Sequence, residues 1–128
     1  MADETTVRET IEQYWKRFSV NDVDGLVALF TEDATVEDPV GSPVHRGIDA
    51  IRSFYESAHS LADSIELRGL DVTLVCGDQA AFAMEIRPEI GGTTYSLPAI
   101  DVMTFADDGR ITSMRAFFQQ DLMRPADS

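Results

Sequence analysis

Tyr95-Ser96-Leu97-Pro98-Ala99-Ile100-Asp101-Val102-Met103-Thr104-Phe105 is the most hydrophobic stretch of the chain, and an aspartate stands in its middle. Read as a strand, alternate side chains share a face. One face then carries Leu97, Ala99, Asp101, Met103 and Phe105; the other carries Pro98, Ile100, Val102 and Thr104. Both faces are largely apolar, so the strand is expected to be covered on both sides. An ionised carboxylate there is costly, and burial should raise its pKa until it holds its proton. A protonated acid in an apolar setting is a hydrogen-bond donor in need of an acceptor. The plainer alternative is a partly exposed Asp at a strand end, or one paired with an arginine.

Two further residues bear on that choice. Val7, Ile11, Tyr14 and Phe18 recur at helical spacing, so Tyr14 faces inward with an apolar stripe. Taken alone, it is an ordinary core tyrosine whose hydroxyl finds some partner. In Ala34-Thr35-Val36-Glu37-Asp38-Pro39-Val40-Gly41, strand parity sets Ala34, Val36 and Asp38 on one side. Asp38 then follows an apolar face inward just before a Pro and Gly turn, where an aspartate is more often solvated.

These segments form a pattern. Asp33 to Gly41 resembles the catalytic-base segment of bacterial ketosteroid isomerases. Ala99 to Phe105, followed by Asp108-Gly109-Arg110-Ile111 and Met114-Arg115-Ala116, resembles that family's second-acid strand and its hairpin. Tyr14 matches the family's catalytic tyrosine, and Tyr55 matches the tyrosine that hydrogen-bonds to it. The likeness runs from the first helix to Phe118.

The resemblance implies an α+β fold of the nuclear-transport-factor-2-like superfamily. Three N-terminal helices and a curved, cone-shaped mixed sheet would enclose an apolar pocket. It implies a steroid Δ-isomerase that moves a C=C bond of a 3-oxo-Δ5-steroid into conjugation through a dienolate. Asp38 would be the general base, and Tyr14 with protonated Asp101 the oxyanion hole. One carboxyl kept charged beside one kept neutral is a known property of this family. No cofactor and no metal are implied, and the assembly would be a homodimer. Some members carry a third tyrosine on the second helix; here Phe30 stands there, so the hydrogen-bond chain should run only from Tyr55 to Tyr14. Strand parity supplies the pocket lining: Phe82 and Met84, Leu97 and Ala99, and Met114, Ala116 and Phe118. Val40 and Phe54 complete it. The same residues could instead form a filled core, although three polar tips would then need partners inside it.

Two other readings compete. One is a related superfamily enzyme, such as a cyclase, dehydratase or epoxide hydrolase. Those chemistries usually call on His–Asp pairs or an Asp–Arg–Asp set, and His45 and His59 have no partner motif. The other is a non-catalytic dimer that binds an apolar ligand, which would have no need of a base.

Composition narrows the class. At 128 residues and 44% hydrophobic content, the chain suits one domain. A net charge of −13 disfavours nucleic acid and anionic membranes. The single cysteine, Cys76, excludes an intrachain disulfide and is expected to be a buried strand residue. The acidic N-terminal segment lacks the apolar core of a signal peptide, and a cytoplasmic protein is expected.

The expected elements are a helix from Thr5 to Ser19 and a second helix capped by Asn21 that carries Leu26, Leu29 and Phe30. A strand then leads to Asp38, and a third helix follows Gly47 with Ile48, Ile51, Tyr55 and Ala58 inward. Strands follow over Ile65–Cys76 (with a bend at Gly69), Gln79–Arg87, Thr93–Phe105 and Arg110–Phe118. Arg87-Pro88-Glu89 should interrupt the second of these. Residues 1–4 and 121–128 are expected to be loose.

Overall fold

The computed structural model describes residues 1–126. Helix α1 (Glu4–Ser19) starts at Asp3, whose side chain accepts from the Thr6 amide at 2.8 Å. The Met1 amine lies 2.8 Å from Asp107 in an exposed ion pair, and Glu4 of the expected loose start already belongs to α1. Val7, Ile11, Tyr14 and Phe18 are buried, as their spacing requires. Helix α2 is only Val23–Val27. Its cap is Asp22, which accepts from the Gly25 amide, and not Asn21, which takes a left-handed turn at φ 57°. Phe30 lies outside this helix, at the head of strand β1 (Phe30–Glu37). The reason is pairing: Ile111 donates to the Leu29 carbonyl at 2.8 Å, and Phe30 lies opposite Ile111. Strand β2 (His45–Arg46) pairs with β1, and helix α3 (Ile48–His59) buries Ile51 and Tyr55.

The remaining strands are β3 (Ser64–Cys76), β4 (Gln79–Ile90), β5 (Thr93–Phe105), β6 (Ile111–Phe117) and the short β7 (Arg124–Pro125). The sheet order is β2-β1-β6-β5-β4-β3, with β7 paired to β5. Among the described residues only β1 and β6 run parallel, so the sheet is mixed. Register shifts between Gly69 and Thr73, and between Thr104 and Phe105, bend the strands. Gly69 is required where it stands: a Cβ would come within 2.3 Å of the Trp15 ring, which lies across the bend.

Four further expectations need correction. First, β4 is not interrupted at Arg87-Pro88-Glu89. Pairing with β5 lapses there, between Ile86↔Leu97 and Glu89↔Thr94, so the amide that Pro88 lacks has no ladder partner to miss on that side. Second, β5 is covered on one face only. Leu97, Ala99, Asp101, Met103 and Phe105 are buried, while Pro98 and Ile100 are exposed. Third, Cys76 is exposed, because it ends β3 at the sheet edge and points outward. Fourth, the tail returns to the sheet. A 3-10 turn (Gln120–Leu122) leads into β7, and Ala126 donates to the Thr94 carbonyl at 2.8 Å. Residues 127–128 of the expected loose end lie outside the described residues.

Candidate active site

The register of three strands builds the closed end of a cavity. Asp101 on β5 lies opposite Phe82 on β4 and Ala116 on β6. β1 runs parallel to β6 with Glu37 opposite Arg115, so the next residue, Asp38, comes level with Ala116. Asp38 and Asp101 therefore flank Ala116 on one face of the sheet. Two strand spacings put their backbones roughly 10 Å apart. The chain turns directly after Asp38 through a cis peptide to Pro39, and the Val40 amide donates to the Ala116 carbonyl at 2.8 Å.

The helices supply the facing wall. Tyr14 comes from α1 and Tyr55 from α3, and their hydroxyls are 2.9 Å apart. Phe30 packs edge-on to Tyr14 at 6.5 Å and lies 6.1 Å from Tyr55, so an aromatic ring without a hydroxyl ends the chain there. Both tyrosines are fully buried, which raises their pKa well above the ordinary value. For Tyr14, the neighbouring Tyr55, Asp101 and Asp38 raise it further.

The two carboxyls differ. Asp101 is 0% exposed, and among the described residues neither of its oxygens has a hydrogen-bond partner. Burial, and then the charge of Asp38, push its pKa well above the ordinary carboxyl value. Both effects favour its protonated, neutral form. Asp38 keeps part of its surface open to the cavity, and burial raises its pKa to about 6. At neutral pH Asp38 is mostly ionised. Desolvation is the first cause of both shifts, and Asp38 adds to that of Asp101.

The cavity holds about 650 Å³ and has mostly apolar walls. Tyr14, Asp38, Phe54, Met84, Leu97, Ala116 and Phe118 line it, as the sequence led us to expect. Phe82, Ala99 and Met114 do not; they are buried in the filled core around the closed end. Val40 lies on a separate surface depression with Ile100 and Phe117. Asp101 itself adds no surface to the cavity and sits beside Ala116, which does. Sequence reasoning missed Phe18, Leu67, Pro88 and Met123 as wall residues. The helical stripe containing Tyr14 and Phe18 could have revealed the first. Nothing local could have revealed Met123, which arrives with the returning tail.

The histidines are placed against aromatic rings. His45 stacks on Phe54 at 4.7 Å, and His59 on Phe18 at 4.6 Å. Neither hydrogen-bonds a carboxylate among the described residues, so no His–Asp pair forms. Nor, among these residues, do three or more His, Cys, Asp or Glu side chains gather in a way that could hold a metal ion.

A SnoaL-like domain matches residues 11–114. A solved structure described as an epoxide hydrolase/cyclase-like enzyme, SalBIII, acting in pyran ring formation in the polyether salinomycin, superposes with a TM-score of 0.86 at 30% identity. It covers 98% of this chain and 100% of that one. RV0760c from Mycobacterium tuberculosis shares the fold, with a TM-score of 0.84 at 20% identity over 98% of this chain and all of its own. The chain belongs to the SnoaL-like domain family, with the cone-shaped nuclear-transport-factor-2-like fold. Within that fold it is a member of the steroid Δ-isomerase, or ketosteroid isomerase, family. It is 40% identical over 112 residues to the steroid Δ-isomerase of Nocardioides simplex, covering 88% of this chain and 89% of that protein.

Proposed function

We propose that this isomerase-family enzyme converts a 3-oxo-Δ5-steroid to its conjugated Δ4 isomer, using Asp38, Tyr14 and Asp101. The observation that carries the reading is the pair of carboxyls flanking Ala116, Asp38 at the cavity wall and, behind it, the fully buried Asp101, unpartnered among the described residues. Removing a proton next to an enone-forming ketone needs a base at the carbon and donors at the oxygen. Asp38 takes the proton from the ring carbon between the ketone and the double bond. The electron pair moves onto the ketone oxygen, giving a dienolate. Asp38 then returns the proton to a different carbon, and the double bond ends in conjugation. No atom is gained or lost.

Tyr14 and Asp101 donate to the developing oxyanion. Tyr55 donates to the Tyr14 oxygen, which leaves the Tyr14 proton free for the substrate. The lone donor on Asp101 gains the acceptor that the folded chain does not provide. For the ketone oxygen to reach it, the closed end beside Ala116 must open slightly. The apolar walls suit a rigid hydrocarbon ring system with its one reactive oxygen innermost.

The direct test is ultraviolet absorbance after addition of 5-androstene-3,17-dione. Catalytic growth of the conjugated-enone band is expected, and its absence at micromolar enzyme would sink the reading. A second reading, ring closure or epoxide opening, has the 30%-identical cyclase-like structure in its favour. It would be preferred if an epoxide substrate turned over and the steroid did not.

The pH profile gives an independent check. Asp38 must be deprotonated to act, and its pKa is raised to about 6. The kcat/KM for the steroid should be flat above pH 7 and fall as pH drops through 6, approaching tenfold per unit well below it. A break near the ordinary value of 3.8 would show that Asp38 is not desolvated in the working enzyme.

We also propose a homodimer formed through the outer face of the sheet. Ile100 and Phe117 are cross-strand neighbours there, 51% and 42% exposed, and Leu74 is exposed on β3. Covering such side chains is favourable at about 25 cal/mol per Å². Sedimentation equilibrium at micromolar concentration should give the dimer mass, and Ile100→Asp should shift it to monomer. A wild-type monomer would overturn the assembly.

A further inference from the structure

We infer that the preferred substrate carries a hydrocarbon extension beyond the four fused rings, seated on Leu61, Pro88, Ile90 and Met123; the inference rests on the steroid reading above. The first observation is length. The inward side chains of β4 that line the cavity run from Met84 through Ile86 and Pro88 to Ile90. Six residues of strand extend roughly 20 Å. A four-ring ketone nucleus measures only roughly 10 Å at C–C bonds of about 1.5 Å. With its ketone oxygen at the Tyr14 end, such a nucleus ends near Ile86 and leaves the outer half of the floor uncovered.

The second observation is chemistry. The outer half is walled by three separate pieces of chain. They are the end of β4 (Pro88, Ile90), the connection after α3 (Leu61, Ala62) and the returning tail (Met123). All five of these side chains are apolar. Leu61 is 77% exposed and Ile90 46% exposed, so this end opens to the surface while remaining hydrocarbon in character. A single exposed leucine needs no explanation, but apolar side chains converging from three segments on one opening continuous with the active cavity do. The polar side chains at this end, Ser60 and Gln120, are exposed and can turn to water. Among the described residues, nothing charged in this wall would recognise a carboxylate or a conjugated sugar on the distant end of the substrate.

The tail makes the subsite a built feature. Ser96 opposite Arg124, Tyr95 opposite Pro125 and the Ala126 amide on Thr94 pin the segment that presents Met123. Met is unbranched and adapts to a flexible alkyl chain.

The test compares two Δ4-3-ketones that are not turned over further: androst-4-ene-3,17-dione and cholest-4-en-3-one. Both are supplied in the same cyclodextrin buffer, and Kd is measured by equilibrium dialysis. The long-chain ligand should bind at least tenfold more tightly. Leu61→Ser with Ile90→Ser should remove that advantage and leave Kd for androst-4-ene-3,17-dione unchanged, and Met123→Ser should reduce it. Both variants alter surface-facing walls, and circular dichroism will verify their fold. Equal or weaker binding of the long-chain ligand by wild type would overturn the inference, as would an advantage that survives in the double variant. Loss of the steroid reading itself would register separately, as failure to isomerise 5-androstene-3,17-dione.

Discussion

Asp38→Asn should lower turnover of 5-androstene-3,17-dione by about 10²–10⁴-fold, with the fold and the affinity for a product steroid nearly unchanged. The amide has the shape of the carboxylate and no capacity to accept the proton. Asp38 stands at the end of an apolar strand face whose Ala34 and Val36 are fully buried, so its position is held by β1 and the turn after it. Removing a partly desolvated charge relieves a cost rather than creating one, so the substitution should not unfold the protein. The measurement is kcat from the enone absorbance alongside Kd for androst-4-ene-3,17-dione. A variant that kept near wild-type kcat would remove Asp38 from the mechanism.

Asp101→Leu should reduce kcat by about 10²–10³-fold, the usual worth of one oxyanion-hole donor at about 2.7–4 kcal/mol. Asp101→Asn should be milder, since an amide still donates. Tyr14→Phe should resemble Asp101→Leu, because it removes the other donor and leaves Tyr55 with no hydroxyl at 2.9 Å. All three should act on kcat more than on KM, since the bonds strengthen only as charge reaches the oxygen. If Asp101→Asn proved worse than Asp101→Leu, the group would be acting as an anion, and the neutral-donor account would fail.

Much of this site could be read before the fold was seen, and the reason is periodicity. Asp101 shares its parity with Leu97, Ala99, Met103 and Phe105, and all five are buried. Tyr14 shares its stripe with Val7, Ile11 and Phe18. Those relations are local, so the chain's own repeat displays them. Whether an inward face meets empty space or another side chain depends on what arrives from elsewhere. Phe82 faces inward as its parity requires, yet Trp15 packs against its ring at 5.5 Å and fills the space. The outer face of β5 misleads for a related reason: Ile100 reads as core, yet the helices pack on the opposite face and leave it 51% exposed. Leu26, Leu29 and Phe30 keep helical spacing, which places Phe30 in a helix on sequence alone. The parallel pairing of β1 with β6, a contact across 81 positions of chain, drew it into the sheet instead.

Asp101 also gives the thermal behaviour of the protein a signature. Its pKa is raised in the folded chain and ordinary in the unfolded one, near 3.8. Above that value the folded state holds a proton that the unfolded state has released. Its stability therefore declines as pH rises, until the native acid itself ionises. One proton held in this way is worth about 1.4 kcal/mol per pH unit. Asp38 adds the same sign only up to about 6. His59, whose pKa is lowered by burial, works in the opposite direction in the acid range. Subtracting the Asp101→Asn stability curve from that of wild type cancels both. The difference should slope by about 1.4 kcal/mol per unit from above the unfolded value of 3.8 until the native acid ionises, the variant gaining on wild type as pH rises. A flat difference would mean that Asp101 finds a partner or ionises in the folded protein. The stability of the folded chain is thus set partly by a buried carboxyl that its own side chains and amides leave unpaired among the described residues. Selection for heat tolerance alone would be expected to discard this carboxyl first, leaving a sturdier protein with a slower reaction.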